Sequence, residues 1–184
     1  GKITQQGFGL INSWAAGVVH PWLSFILSNG GSLLDGTKPL LTSKQAVEVT
    51  QLYEKLVTQL KVTDPAMGTS NASTTGPFLD NFTNGKTAMI VMANWWESAL
   101  KSGMGTNCSN VGTAPIPVGP SGSSSKSVSY AWLTMVNAHA DACQKDAAWQ
   151  FLKWLNGPGS GTKAAAMGDI LMSMGILPSR TSDT

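Results

Sequence analysis

Two adjacent indoles, Trp95 and Trp96, stand between an amide, Asn94, and a carboxylate, Glu97. An indole face matches the apolar C–H face of a pyranose, and polar groups beside it can pair with hydroxyls that would otherwise lose their water uncompensated. The group follows directly on Thr87-Ala88-Met89-Ile90-Val91-Met92, an apolar run bounded by turn residues. Such a run reads as a strand buried on both faces, which puts the indoles at the carboxyl end of a strand, where open α/β sheets bind ligands. Neighbouring residues commonly point different ways, so one indole is expected to face a ligand and the other to pack. The competing reading is that both plug the edge of the core.

Catalytic arrangements are harder to assemble. His20 and His139 are far apart and neither belongs to a cluster with metal-ligand spacing. The sequence contains no G-x-S-x-G elbow and no G-x-x-x-x-G-K-[ST] phosphate loop, and nothing singles out a pair among the ten acidic residues for glycoside hydrolysis. No cofactor, metal site or catalytic residue is therefore expected. Cys108 and Cys143 are too widely separated for a C-x-x-C clip; they could close one disulfide in an oxidising compartment or stand as two buried thiols.

Twelve basic and ten acidic residues, scattered singly, give a formal charge of +2 and no basic face to follow a phosphate backbone, which argues against nucleic acid. Polarity comes instead from Ser, Thr, Asn, Gln and Gly, as in 68–76 and 121–125, a composition that suits an exported protein. Apolar stretches such as 10–19 and 88–93 fall well short of the roughly 20 residues needed to span a bilayer, and Gly1-Lys2-Ile3-Thr4 does not open a signal peptide.

The elements that would position these residues alternate between helix and strand. A helix over 14–27 is expected to restart at Pro21 and to stop at Asn29-Gly30-Gly31. A short extended piece at Leu33-Leu34 and a turn at Asp35-Gly36 precede a helix capped by Thr42-Ser43 and running to about Gln59. Its apolar face is Ala46, Val49, Leu52, Tyr53, Leu56 and Val57. A short helix ends at Asn84-Gly85, and another follows the indole pair until Gly103 and Gly105. Strands are expected over 111–117 and 128–136, with a surface loop at 119–125 between them. The helix over 141–155 should turn Ala147, Ala148, Phe151, Leu152 and Leu155 inward and pack Trp149 and Trp154; another spans 161–172. This is an α/β pattern.

The ordered series of segments resembles family 1 of the extracellular solute-binding proteins of ABC transporters, the maltose-binding type. Phe82-Thr83-Asn84-Gly85-Lys86-Thr87-Ala88-Met89, leading to Asn94-Trp95, is similar to the family's F-x-x-G-x-x-A-M followed by Gly- or Pro-Trp. Segment 111–120 resembles its V-G-x-x-P-x-P, segment 146–155 its A-x-x-F-x-x-W/F-L helix, and Gly175-Ile176-Leu177-Pro178-Ser179-Arg180 its G-x-x-P-x-R/K exit. Tyr130-Ala131-Trp132 departs from the pattern, with bulk where the family carries Gly-Gly, and so alters the pocket.

The resemblance implies a periplasmic-binding-protein-like fold of type II, here mainly the carboxyl-terminal lobe plus crossover elements. Residues 1–127 would form the ligand-binding lobe, and 128–184 a crossover strand and helices that pack on the other lobe. Family members are much longer, so an amino-terminal lobe and final helices are expected outside this stretch, and the missing signal peptide says nothing. The implied role is capture of a sugar or oligosaccharide for membrane permease subunits, by a protein in the periplasm or held at the cell surface as a lipoprotein. Trp95 is the implied stacking platform, with Trp96, Glu97, Asn94, Trp132 and Tyr130 around it and Trp22, Trp14 and His20 supplied by the early helix. A carbohydrate-active hydrolase, a binding protein for a non-sugar solute and an interaction module without small ligand are the alternatives. Apolar surface left uncovered in this shortened chain is expected to drive dimerisation.

Overall fold

The computed structural model describes residues 4–12, 15–68, 76–157 and 165–178. The chain forms two compact units: Gly1–Met92 with Gly103–Ser129, and Ala93–Ser102 with Tyr130–Thr184.

In the first unit, β1 (Gln6–Gly9) and β4 (Thr87–Ile90) pair in parallel, with Gln6 opposite Thr87 and Phe8 opposite Met89. β1 reads weakly in sequence because two of its four residues are glycine, yet it is tied on both edges. Gly7 and Phe8 donate their backbone N–H groups to the Val62 carbonyl, and the Thr63 hydroxyl donates to the Phe8 carbonyl at 2.7 Å. The buried Gln6 amide donates to the Thr87 hydroxyl and accepts from the Asp64 N–H, which leaves neither end of that amide unpaired.

Helix α1 (Ala15–Ser28) runs unbroken through Pro21 instead of restarting there. Proline removes one backbone donor from a helix interior. Packing of the flanking turns overrides that cost here, with Ser24 donating its hydroxyl to the His20 carbonyl beside the proline. Gly30, at φ 78°, ends the helix, and Gly31 donates back to the Ile26 carbonyl at 2.9 Å. A small antiparallel pair follows, β2 (Leu34–Asp35) and β3 (Lys38–Pro39). Then comes α2 (Lys44–Thr58), whose N-cap Ser43 accepts from the Ala46 N–H.

Ile26, Ala46 and Val49 form the buried core where α1 meets α2, with Trp22, Phe25, Leu33 and Tyr53 packed around them. Phe25 contacts Phe8 and Tyr53 edge-on, at centroid distances of 6.2 and 5.9 Å. Leu52, expected on the inner face of α2, is exposed, because the apolar stripe in contact with α1 is narrower than the sequence pattern suggests. The Tyr53 hydroxyl is buried with no hydrogen-bond partner among the described residues, and burial pushes its ionisation far above the ordinary phenol range.

A turn of 3-10 helix, Pro65–Gly68, precedes α3 (Gly76–Thr83), and the Asn81 side chain donates to the Met67 carbonyl. Gly85, at φ 69°, makes the expected turn into β4. That strand is not buried on both faces: Met89 is 60% exposed, since β1 is its sole strand neighbour among the described residues.

The expected strands over 111–117 and 128–136 do not form. Pro115 and Pro117 cannot donate to a ladder, and the segment instead lies on polar side chains of α1. Ser28 donates to the Pro117 carbonyl at 2.8 Å and accepts from the Lys126 N–H, and Ser24 accepts from the Val128 N–H. Asn29, almost fully buried, accepts from the Ser121 N–H at 2.9 Å and donates to Glu48 Oε2 at 2.7 Å and the Gln45 carbonyl at 3.3 Å. These bonds, led by Asn29 and then Ser121, with Lys44 adding, hold the Glu48 carboxyl below its usual range against the effect of desolvation. The surface loop at 119–125 is thus docked, with Gly119 and Gly122 lying directly against Asn29 and Ser28.

In the second unit, α5 (Ala142–Asn156) begins with a complete capping box: Asp141 accepts from the Gln144 N–H, and the Gln144 side chain accepts from the Asp141 N–H. It packs on α6 (Ala166–Ser173). Leu155 is buried and Ala148 and Leu152 are half-buried, but Ala147, Phe151, Trp149 and Trp154 are exposed, contrary to expectation. α5 is apolar around more of its circumference than one partner helix can cover. Residues 161–164 of the expected last helix lie outside the described residues.

Cys108, in a 3-10 turn of the first unit (Gly105–Asn110), and Cys143, in the first turn of α5, are both free thiols, so the disulfide is not made. No described helix is long and apolar enough to cross a membrane.

Candidate functional site

The indole pair lies in the second unit. Ala93 is extended, and the chain then turns through Asn94–Trp96 as 3-10 helix before entering α4 (Glu97–Met104). Two backbone bonds close the turn, Trp96 N–H to the Ala93 carbonyl and Glu97 N–H to the Asn94 carbonyl. Trp96 is 7% exposed and Leu100, one turn on, is buried as well, so this indole anchors the turn. Trp95 is half-buried. The two neighbours do diverge.

Trp95 does not stand alone. Its ring centroid lies 5.8 Å from Tyr130 at an interplanar angle of 47°, and Tyr130 lies 5.8 Å from Trp132 at 82°. Neither pair is stacked face to face. Trp132 is 87% exposed and Tyr130 is exposed also, so the three rings form an accessible aromatic row rather than a core cluster. The absent strand over 128–136 explains the exposure: β-forming composition describes a fit to a pleated, half-buried surface, and no strand lies beside this segment among the described residues.

Polar groups flank the row. Glu97 opens α4, where a carboxylate suits the positive end of the helix, and meets Lys101 Nζ at 2.6 Å one turn later. Both side chains are exposed, so the pair orients the carboxylate more than it stabilises the fold. Asn94 Nδ2 donates to the Gly175 carbonyl at 3.2 Å. Neither Lys101 nor Gly175 was singled out in sequence as part of a site. Lys101 was legible as the i+4 partner of Glu97, whereas the contact of Gly175 across 81 residues carries no local signal.

Two further expected residues belong to the first unit. Trp22 packs on the α1/α2 core and donates its indole N–H to the Thr50 hydroxyl at 3.1 Å, and His20 is half-buried on α1. Trp14 lies outside the described residues. No group of three His, Cys, Asp or Glu side chains suited to a metal ion occurs among the described residues. Chemically, the row offers apolar ring faces, and the chain on either side of the indole pair carries an amide and a carboxylate paired with an ammonium, a set that suits a neutral, hydroxyl-rich ligand with apolar ring faces.

The sequence profile of the bacterial extracellular solute-binding proteins matches residues 9–162, and the chain belongs to that family. Membership points to binding rather than catalysis and to a place outside the cytoplasm. Two solved structures share its fold. The GacH receptor of Streptomyces glaucescens, determined unliganded and in complex with acarbose and an acarbose homolog, matches with a TM-score of 0.66 at 22% identity, over 97% of this chain and 42% of the receptor. The maltose/maltodextrin-binding domain MalE from Bdellovibrio bacteriovorus, bound to maltotriose, matches with a TM-score of 0.65 at 21% identity, over 100% of this chain and 44% of that domain. The fold is therefore the type II periplasmic-binding-protein fold, in part, and the chain spans less than half the length of either structure. No protein of curated function matches it in sequence.

Proposed function

We propose that the chain is part of the solute-binding component of an ABC importer and grips a sugar or oligosaccharide on the Trp95–Tyr130–Trp132 row, for delivery to membrane permease subunits. The observation that carries this reading is the accessible row of three rings beside Asn94 and Glu97. A pyranose laid on an indole loses little, because its C–H face is apolar, while its rim of hydroxyls reaches the flanking polar groups. The sugar ligands of the two structural relatives support the same class of solute. On this reading the sugar is bound and released intact, as membership of a solute-binding family suggests. The protein works outside the cytoplasmic membrane, in the periplasm or as a surface lipoprotein. The uncovered apolar faces of α5 and of Trp132–Met135 favour pairing of two copies of this chain, which light scattering over a range of concentrations tests.

Titration with maltotriose and a panel of mono- and oligosaccharides, followed by tryptophan fluorescence and calorimetry, tests the binding reading. A saturable response with one sugar, weakened about fivefold to thirtyfold in Trp95→Ala as expected for an aromatic contact worth about 1–2 kcal/mol, supports it. A folded protein that responds to no sugar, or that binds equally well without Trp95, refutes it.

A further inference from the structure

The turn that carries Trp95 is too short to hold itself. Three residues of 3-10 helix closed by two backbone bonds have little intrinsic persistence, and 3-10 geometry is poorer than that of an α-helix. Beyond the buried Trp96 ring, one point of outside support is the exit of α6. There Met174 donates to the carbonyls of Ile170 and Leu171, Gly175 donates to Met172 at 3.1 Å, and Ile176 donates to Leu171 at 2.8 Å. Gly175 sits at φ 73°, a conformation that glycine adopts without strain. Its carbonyl is thereby fixed on a closed helix end.

That carbonyl accepts from Asn94 Nδ2, and a side chain built on Gly175 would lie 3.4 Å from Glu97 Oε2 and 3.5 Å from Glu97 Cβ. The residues flanking the indole pair, 94 and 97, thus both rest on one glycine, and Trp96 between them is buried. We infer that Asn94 is a positioning residue: its amide, bonded to Gly175, sets the orientation in which Trp95 meets a sugar. This rests on the sugar reading for its consequence but not for its geometry. It gives Asn94, expected from the sequence to contact ligand, a further role exerted through its neighbour.

Asn94→Asp is close to isosteric and places a carboxylate oxygen against the Gly175 carbonyl in place of a donor. The test incorporates 5-fluorotryptophan into the 184-residue chain and follows the fluorine line of Trp95, assigned with Trp95→Phe. In unliganded N94D the Trp95 line is expected to shift and broaden at neutral pH while that of Trp22 stays in place. It should move back as the introduced carboxyl is protonated, below about pH 4, and becomes a donor again. Maltotriose affinity should fall about fivefold to tenfold, the equivalent of one neutral hydrogen bond. If N94D does not fold, Asn94→Ser, which shortens the donor without adding charge, gives the same readout without the pH recovery.

A Trp95 line unmoved in both variants overturns the positioning role whatever sugar does. A line that moves with maltotriose affinity unchanged overturns it as well. A line that moves and recovers with pH, in a protein whose wild type binds neither maltotriose nor any other sugar of the panel, supports the positioning and sinks the sugar reading instead.

Discussion

Asn29→Ala should be the most informative single change in the first unit. The side chain is almost wholly buried at the end of α1 and makes three hydrogen bonds, to the Gln45 carbonyl, the Glu48 carboxylate and the Ser121 N–H. Each neutral bond is worth about 1 kcal/mol, and truncation removes the acceptor of the Ser121 N–H. The expected loss at neutral pH is about 2–3 kcal/mol before any contribution from Glu48, which for a chain of this size corresponds to a fall in Tm of roughly 4–12 °C.

Glu48 adds a pH signature to that loss. Its ionisation is held below the usual carboxylate range first by Asn29 and then by Ser121, so the charged form is favoured in the folded state. A depressed carboxyl contributes stability above its unfolded value of about 4.3, and this is lost as pH falls through the folded value. Urea unfolding followed by far-UV circular dichroism between pH 3 and pH 7 should therefore show wild type and N29A converging on the acid side. An N29A protein within 0.5 kcal/mol of wild type at pH 7, or a difference that does not shrink in acid, would refute the account of Asn29 as the hub of this junction.

Tyr53→Phe should raise stability by about 1 kcal/mol, since it deletes a buried hydroxyl that finds no partner among the described residues. It should also remove a loss of stability above about pH 10, because a raised ionisation favours the folded state only until the unfolded tyrosine begins to deprotonate. Thermal melts of both proteins at pH 7 and pH 10.5 check both points, and a lower Tm in the variant at pH 7 would contradict the first. Asp141→Ala should destabilise the second unit by about 1 kcal/mol through loss of the N-cap, and Asp141→Asn by less; amide exchange in the first turn of α5 is the direct readout.

Helices were far more legible than strands. Ser43, Asp141, Gly30 and Gly85 announce element ends through backbone chemistry that acts within four residues, and each sits where the local rule puts it. Segments 111–117 and 128–136 misled because β-forming composition reports a surface to lie on: the end of the first is held by side chains of α1 instead of another strand, and most of the second has no strand beside it among the described residues and stays exposed. β1 was missed for the converse reason: Gly7 and Gly9 carry no strand signal, and its ladder comes from partners more than 50 residues away. At the site, the divergence of Trp95 and Trp96 followed from adjacency alone, whereas Tyr130 beside Trp95 and Gly175 beneath Asn94 are products of the fold. Trp149 and Trp154 show the limit of reading helix faces, since periodicity reports how much apolar surface a helix has and not how much its neighbours cover.

The docking of 116–128 on Ser24, Ser28 and Asn29 reads almost nothing but main-chain atoms: the N–H groups of 119, 121, 126 and 128 and the carbonyls of 116 and 117. Such a clasp is blind to side-chain identity. Its demands on composition fall on Gly119 and Gly122, where any Cβ would collide with Asn29 or with the Ser28 carbonyl. Ser123 and Ser124 between these anchors are exposed and make no part of the clasp. The stretch is thus a natural port for cargo: a fluorescent label or short epitope spliced in at 123–124 would sit outside the core junction, giving a reporter on the first unit.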